Sequence, residues 1–235
     1  MSAHTRIAVT GGFGILATAL RPYFPYADFL SRQSCDVADG GSVKRWFSGH
    51  SYDLIIHAAA ETNAAADPAA LTQVNVVGTA NVTHWARKQQ ARLVYASTDY
   101  VYPGTGGHRE TDPVFPANGY AWSKLGGECA AQTYEKALIV RGSWYADLTL
   151  YKASTDGFTG KLPVEKAAGY LAALSTSTHT GIVNVGGNRR SLYEIVVSEF
   201  HPRCQPILRG QAGTAYPIPE DVSLDCSRLH QIVGW

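Results

Sequence analysis

The chain has 235 residues, 45% of them hydrophobic and 17% charged, and its formal net charge is +1. That much apolar material suits one large α/β domain, or one with a small appendage, and excludes a disordered chain or a coiled coil. The near balance of charge gives no global reason to expect nucleic acid or an anionic membrane as partner.

From the N-terminus, "MSAHTRIAVTGG" runs straight into a strand without a signal-peptide pattern, and no run of about 18 apolar residues occurs anywhere. A soluble, cytoplasmic protein is expected. Short apolar runs then alternate with helical patterns, the signature of parallel βαβ units. Strands are expected at "RIAVT" (6–10), "ADFLS" (27–31), "DLIIHAA" (53–59), "RLVYAS" (92–97), "ALIVRG" (137–142) and "GIVNVG" (181–186). Helices are expected at "ILATALRPY", "GSVKRWFSG", "PAALTQVNVVGTANVTHWARKQQ", "YAWSKLGGECAAQTY" and "VEKAAGYLAALS". In the third of these, Leu71, Val74, Val77 and Val82 recur near the helical period. After about residue 143 the pattern loosens, and from 201 onward prolines and glycines dominate. Those stretches are where a substrate-facing lobe grows from the sheet edge. Cys35, Cys129, Cys204 and Cys226 are scattered without ligand spacing, so free thiols are expected, and no metal site.

The first chemical signal is "VTGGFGILA" (9–17), which follows a strand and opens a helix. In that context Gly11 permits a tight turn, Gly14 lets the backbone approach a pyrophosphate, and the helix start offers unpaired N–H groups. Ala17 stands where a third glycine often packs helix against strand. The second strand ends in Ser31 and Arg32 with no carboxylate. A carboxylate there binds the ribose 2′-hydroxyl of NAD, whereas an arginine accommodates a 2′-phosphate, so NADP(H) is the expected cofactor. Thr98 and Asp99 fall at the carboxyl end of the fourth strand, the edge at which open parallel sheets bind ligands. Tyr120 and Lys124 share one face of the next helix, a phenol beside a cation.

In this order and spacing, the glycine loop, the Thr after strand four and the Tyr-x-x-x-Lys pair resemble the extended short-chain dehydrogenase/reductases. Further stretches resemble the dTDP-4-dehydrorhamnose reductase branch: "SRQSCDVAD", "IIHAAAETN", "STDYVYPG", "YAWSKLGGE" and "IVRGSWY", and more thinly "GIVNVGGNRRSLYEIVVSEF" and "DVSLDCSRL". The resemblance implies a Rossmann-like, doubly wound parallel sheet with a small C-terminal substrate-binding lobe. Residues 1–142, completed by the helix and strand at 164–186, would form the NADP-binding domain, and 143–163 with 187–235 a reduced substrate lobe. Two departures fall in that lobe. The segment between "RGSWY" and "VEKAAGYLAAL" is shorter than the family usually carries, and the chain ends at Trp235, about where a final helix is expected to begin.

The resemblance also implies roles. Tyr120 is the expected proton donor to a ketone oxygen, with Lys124 lowering the phenol's pKa and holding the nicotinamide ribose, and Thr98 orienting the carbonyl. Gly11, Phe13, Gly14, Ile15, Arg32, Asp36, Val37, Ala58, Ala59 and Ala60 would complete the cofactor site, with Asp36 and Val37 at the adenine. Thr62, Asp99, Tyr100 and Trp144 would line the sugar pocket. Asn75, mid-helix, is expected to bond backbone inside the fold, and Arg189 and Arg190 either reach a diphosphate or stay solvated. Related dehydratases carry Asp-Glu after the threonine, where this chain has Asp99 and Tyr100, so plain reduction is favoured over dehydration. Three functions stay open: an NADPH-dependent reductase of a nucleotide-linked keto-sugar, a non-catalytic NADP-binding regulatory subunit, and a reductase of a small non-nucleotide carbonyl. The expected partner is a small-molecule substrate, with a homodimer as a further option.

Overall fold

The computed structural model describes residues 5–234. Its centre is a six-stranded, all-parallel sheet of β1 (Ile7–Thr10), β2 (Asp28–Leu30), β3 (Leu54–His57), β4 (Arg92–Ala96), β5 (Ala137–Gly142) and β10 (Gly181–Val185). Their spatial order is β2-β1-β3-β4-β5-β10. The chain leaves β1 toward β2 and returns past it to β3, so the winding direction reverses between β1 and β3. The carboxyl ends of those two strands therefore open the crevice in which such sheets bind ligands.

Strand periodicity sends alternate residues to opposite faces, and both faces are covered. Ile7, Val9, Leu54, Ile56, Val94, Leu138, Val140, Val183 and Val185 pack on α1 (Ile15–Leu20), α6 (Val164–Thr176) and α8 (Ser227–Val233). Ala8, Leu30, Ile55, Leu93, Tyr95, Ala137 and Ile139 pack on the far side with Val43 and Phe47 of α2 (Gly40–Gly49), and Val82, Trp85 and Ala86 of α4 (Gly78–Lys88). The same layer takes Ala131 of α5 (Gly119–Gln132) and Tyr134 just beyond that helix. Being apolar on both faces, these strands read as continuous hydrophobic runs. The expected strands at 53–59, 92–97, 137–142 and 181–186 fall on β3, β4, β5 and β10.

The long helix expected over 68–90 is not uniform. It runs as α3 (Pro68–Leu71), a π-helical stretch over Thr72–Val77, and α4. The widened turns carry Asn75, whose amide does bond backbone: it donates to the Glu61 carbonyl and accepts from the Glu61 N–H, each at 2.9 Å. It also donates to Ser123 Oγ at 2.8 Å, which ties the π stretch to α5. The two glycines of "KLGGE" permit that contact. A Cβ on Gly126 would lie 2.8 Å from Val76 Cγ2, and one on Gly127 only 2.3 Å from the Tyr95 hydroxyl and 2.6 Å from the Asn75 carbonyl. Gly127→Ala is therefore expected to cost about 2 kcal/mol by forcing α5 off its neighbours, read as a lowered midpoint at unchanged slope in urea denaturation.

Outside the sheet, short strands build a small lobe at its carboxyl edge. β6 (Trp144–Tyr145) pairs with β9 (Leu162–Pro163), β7 (Lys152–Ser154) with β12 (Gln205–Ile207), and β8 (Phe158–Thr159) with β11 (Arg190–Ser191). A further helix, α7 (Leu192–Glu199), opens on a capping box in which Ser191 and Glu194 satisfy each other's backbone N–H groups. The final helix expected to begin at about Trp235 lies outside the described residues; before it, α8 ends on Gly234 at φ 75°, a left-handed cap that favours glycine. Leu229 buries this helix against the sheet, a role the sparse apolar pattern of "SRLHQIV" hides. Among the described residues, no helix is long and apolar enough to cross a membrane, and no group of three or more His, Cys, Asp and Glu is placed to hold a metal ion.

Candidate active site

Two adjoining cavities open at the carboxyl ends of β1, β3 and β4, with Gly14, Ala58 and Ala60 in the walls of both. The first, of about 310 Å³, is bounded by Gly11, Phe13 and Gly14 after β1, by Arg32, Asp36 and Val37 after β2, and by Ala58, Ala59 and Ala60 after β3. The glycine turn is forced here. Gly11 has φ 70°, and a Cβ on it would stand 2.7 Å from the Ala59 backbone. Gly14 then caps α1 without a side chain, and a Cβ there would press to 3.2 Å from the Gly11 carbonyl. Ala17 is fully buried against the sheet, so a methyl is accommodated where a glycine often packs.

Arg32 is exposed, its side chain 83% accessible, and its Nε donates to Asp36 at 3.1 Å. The expected pair of a free Arg32 and an adenine-binding Asp36 is thus also a pair with each other. Phe13 is 77% exposed and Ile15 52%, unusual for apolar side chains unless something covers them. Ile15 lines the second cavity rather than the first.

The second cavity, of about 500 Å³, brings together Thr98, Tyr120 and Lys124 with Thr62, Asp99, Tyr100 and Trp144. Thr98 follows β4, is 4% exposed, and its Oγ1 accepts the Tyr100 N–H at 3.2 Å. Tyr120 and Lys124 enter on α5, whose start is capped by Asn118 accepting the Ala121 N–H at 3.0 Å. Trp144 has both of its expected aspects: it faces the cavity and packs on the core beside α6.

The charges differ from expectation in one respect. Lys124 was expected to draw the phenol of Tyr120 down. Instead, burial pushes that phenol up to about 12, the neighbouring Thr98 hydroxyl working against the rise and Asp99 with it. Lys124 itself is pushed down to about 7 by burial, opposed by the Glu128 carboxylate one turn on. Its Nζ sits 4.2 Å from the centre of the Tyr95 ring. The i, i+4 spacing correctly put both groups on one face, but the desolvation of each outweighs their neighbourhood.

Asp99 is 1% exposed, and its carboxyl is held above the usual range by burial, against Ser143, Lys161 and Thr98. Ser143 Oγ donates to one of its oxygens at 2.5 Å and Thr98 Oγ1 approaches the other at 3.3 Å. Asp99 therefore fixes two hydroxyls at the cavity wall as well as lining it. Arg189 stays largely solvent-exposed, as one of its two readings expected, while Arg190 is part-buried, and each is held by a carboxylate of the lobe. Arg189 pairs with Asp221 at 2.5 Å and covers the Phe158 ring, and Arg190 pairs with Glu199 at 2.7 Å, so both brace the lobe.

Among the polar side chains of the second cavity, Ser97, Ser143, Lys161 and Tyr216 had no site role from sequence. Ser143 lies inside "RGSWY", so that motif pointed to it. Lys161 and Tyr216 arrive on loops whose local sequence carries no pattern.

A family model described as the RmlD substrate binding domain matches residues 5–162. The dTDP-4-dehydrorhamnose reductase of Streptomyces griseus is 32% identical over 168 residues, which are 67% of this chain and 54% of that protein. Methionine adenosyltransferase 2 subunit beta of Xenopus laevis is 32% identical over 152 residues, 58% of this chain and 46% of that protein. The chain spans about half the length of these curated relatives. The structure of dTDP-4-dehydrorhamnose reductase from Bacillus anthracis in complex with NADP matches with a TM-score of 0.87 at 22% identity, over 97% of this chain and 92% of that one, a likeness of fold.

Proposed function

The chain belongs to the RmlD substrate binding domain family, and from that premise we propose that it reduces a keto group on a nucleotide-linked deoxysugar with NADPH, as a dTDP-4-dehydrorhamnose reductase does. The observation that carries this reading is the meeting of Thr98, Tyr120 and Lys124 in one cavity that shares its wall with the glycine-turn cavity. In the proposed division, residues 1–142 with 164–186 bind the coenzyme, and 143–163 with 187–235 bind the sugar. Work in a reducing cytoplasm is supported by four free cysteines, of which Cys35, Cys204 and Cys226 are buried.

The fit to NADPH rests on the cavities themselves. Small residues, Gly11, Gly14 and Ala58 to Ala60, floor the passage between them, where a pyrophosphate needs close backbone approach. Arg32 and Asp36 stand at the far end for the adenosine, and the exposed Phe13 and Ile15 supply apolar surface beside the glycine turn. NADPH bound there would supply hydride from its nicotinamide.

The chain's own groups handle the oxygen. As a ketone oxygen gains charge, Tyr120 donates its proton to it, and Thr98 holds it by a hydroxyl hydrogen bond. A phenol held up to about 12 is fully protonated at neutral pH, so the donor is always loaded. Lys124 provides the positive charge that stabilises the phenolate left behind. Asp99 accepts from both the Thr98 and Ser143 hydroxyls and so holds them side by side at the cavity wall.

The test is to titrate the protein with NADPH, add a panel of keto-sugar nucleotides, and follow loss of reduced-coenzyme absorbance. Turnover that nucleoside diphosphates inhibit supports the reading. Tight NADPH binding with no turnover on any substrate shifts it to a regulatory subunit, and turnover indifferent to nucleoside diphosphates shifts it to a small carbonyl reductase. Coenzyme choice gives a separate check. Arg32→Ala is expected to weaken NADPH about tenfold or more, the loss of one charge-assisted phosphate contact, and NADH by less than about twofold. Equal changes in the two dissociation constants, measured by coenzyme fluorescence, place the preference elsewhere.

A further inference from the structure

Beneath the second cavity lies an ion pair, Glu128 and Arg141, that lines neither cavity. Glu128, on α5 one turn beyond Lys124, has no exposed surface. Its carboxylate accepts the guanidinium fork of Arg141 from β5, Nε at 3.0 Å and Nη2 at 2.7 Å, and a third hydrogen bond from Ser97 Oγ at 2.5 Å. Arg141 Nη1 donates to the Tyr102 hydroxyl at 3.0 Å, which in turn donates to Asn184 Oδ1 at 2.9 Å. The elements this carboxylate joins are those that deliver the site. Ser97 immediately precedes Thr98, α5 carries Tyr120 and Lys124, and Arg141 stands two residues before Ser143.

We propose that Glu128, fixed by Arg141 and Ser97, is a positioning residue of the reductase reading: it keeps the Lys124 side chain an ammonium and locks Thr98, Tyr120 and Ser143 in one arrangement. A buried ion pair rarely adds stability over an apolar substitute of equal volume, so its place here is better explained by what it does to a third charge. The groups facing Lys124 are Tyr120 and Glu128 on its own helix, His57 at the end of β3, and Tyr95 on β4. Asp99 and Tyr100 follow β4, Arg141 stands on β5, and Lys161 enters from the lobe. Glu128 is the anion that works against Lys124's burial. Without it, two cations remain desolvated behind the cavity, and Lys124 is the one able to shed its proton.

The experiment follows the lysine itself, so it needs no turnover. Carbon-13 lysine labelling gives a side-chain resonance for Lys124, assigned by its loss in Lys124→Met, and its titration is read in wild type and three variants. Glu128→Gln keeps the volume and removes the charge, and is expected to move the Lys124 midpoint down by about one to two pH units. Arg141→Lys keeps both charges but loses the planar fork, and is expected to lower Tm and shift the midpoint by less than about 0.3 pH unit. Should Glu128→Gln fail to fold, the double variant Glu128→Gln/Arg141→Met fills the site without charge and is expected to move the midpoint down as well. In the assay, kcat falls as pH rises through the Lys124 midpoint, and that limb is expected to follow the resonance downward while KM holds.

A folded Glu128→Gln or double variant that titrates with wild type overturns the proposal, as does a Glu128→Gln shift that Arg141→Lys reproduces. If Lys124 moves as expected but the wild type consumes no NADPH with any keto-sugar nucleotide, the reductase reading fails on its own and the charge assignment stands.

Discussion

Tyr120→Phe is expected to lower kcat for keto-sugar reduction by about 10³-fold while changing the NADPH dissociation constant less than about twofold. The asymmetry follows from where the hydroxyl stands. It stands beside the Thr98 hydroxyl in the second cavity, whereas the coenzyme's phosphates and adenosine would be held by the glycine turn and by residues after β2 in the first. Removing one oxygen leaves the ring to pack as before. What disappears is the phenolic proton proposed to meet the developing oxyanion. The corresponding loss of transition-state stabilisation is about 4 kcal/mol. Pre-steady-state mixing of enzyme, NADPH and substrate separates the possibilities: the variant should bind both ligands and show a slow single turnover. A variant turning over within about tenfold of wild type would pass the acid role to another group or to water.

The raised phenol sharpens the expectation rather than weakening it. An acid near 12 is fully loaded at neutral pH but gives up its proton reluctantly, so the cation beside it decides how well it works. Lys124 is that cation, and burial has brought it close to neutrality. On the proposed mechanism the lysine's charge is conditional, and an anion buried one turn away would then bear on the chemistry.

How far the residues alone led can be judged from particular elements. The sheet was legible because parallel strands covered on both faces must be continuously apolar, and "LIIH", "RLVYA" and "ALIVRG" stand out from any polar context. The site was legible because a glycine turn and a Tyr-x-x-x-Lys pair have local geometric causes, a left-handed φ in one case and a helical face in the other. The π-helical turn around Asn75 was not. Its cause is tertiary, an amide bonding Glu61 and Ser123 at sequence distances of 14 and 48, and nothing in the spacing of Leu71, Val74, Val77 and Val82 reports it. Lys161 and Tyr216 were missed for the same reason, since loops are placed by what they pack on. The direction in which the Tyr120 phenol moves was misjudged because spacing reports adjacency, while desolvation depends on the whole fold.

His57 carries the other large expectation, a loss of stability in mild acid. It closes β3 with no exposed surface, stacked on Tyr95 at 5.5 Å between ring centres. Its bonds define its proton. Thr79 Oγ1 donates to the Asn75 carbonyl at 2.6 Å, so at 3.1 Å it must accept from His57 Nε2. Nδ1 is then left to accept from Thr10 Oγ1 at 2.7 Å. That chain is satisfied only by a neutral ring, and burial, helped by the Lys124 charge, pushes the imidazole down to about 3. The unfolded chain binds a proton at about 6.5 that the folded chain refuses until about 3, so stability rises with pH across that window. It is complete above the unfolded value and lost as pH falls toward the folded one. At pH 4 the loss from this one ring is about 3 kcal/mol relative to pH 7, a large part of a typical domain's stability. His57→Asn keeps an acceptor and a donor but cannot titrate, so urea unfolding should show a slope against pH that is flatter by about 1.4 kcal/mol per pH unit between pH 6 and pH 4. Parallel curves for the two proteins would mean that the ring is charged, or solvated, in the fold, and the polar chain from Thr10 through Thr79 to Asn75 would need a different arrangement of protons.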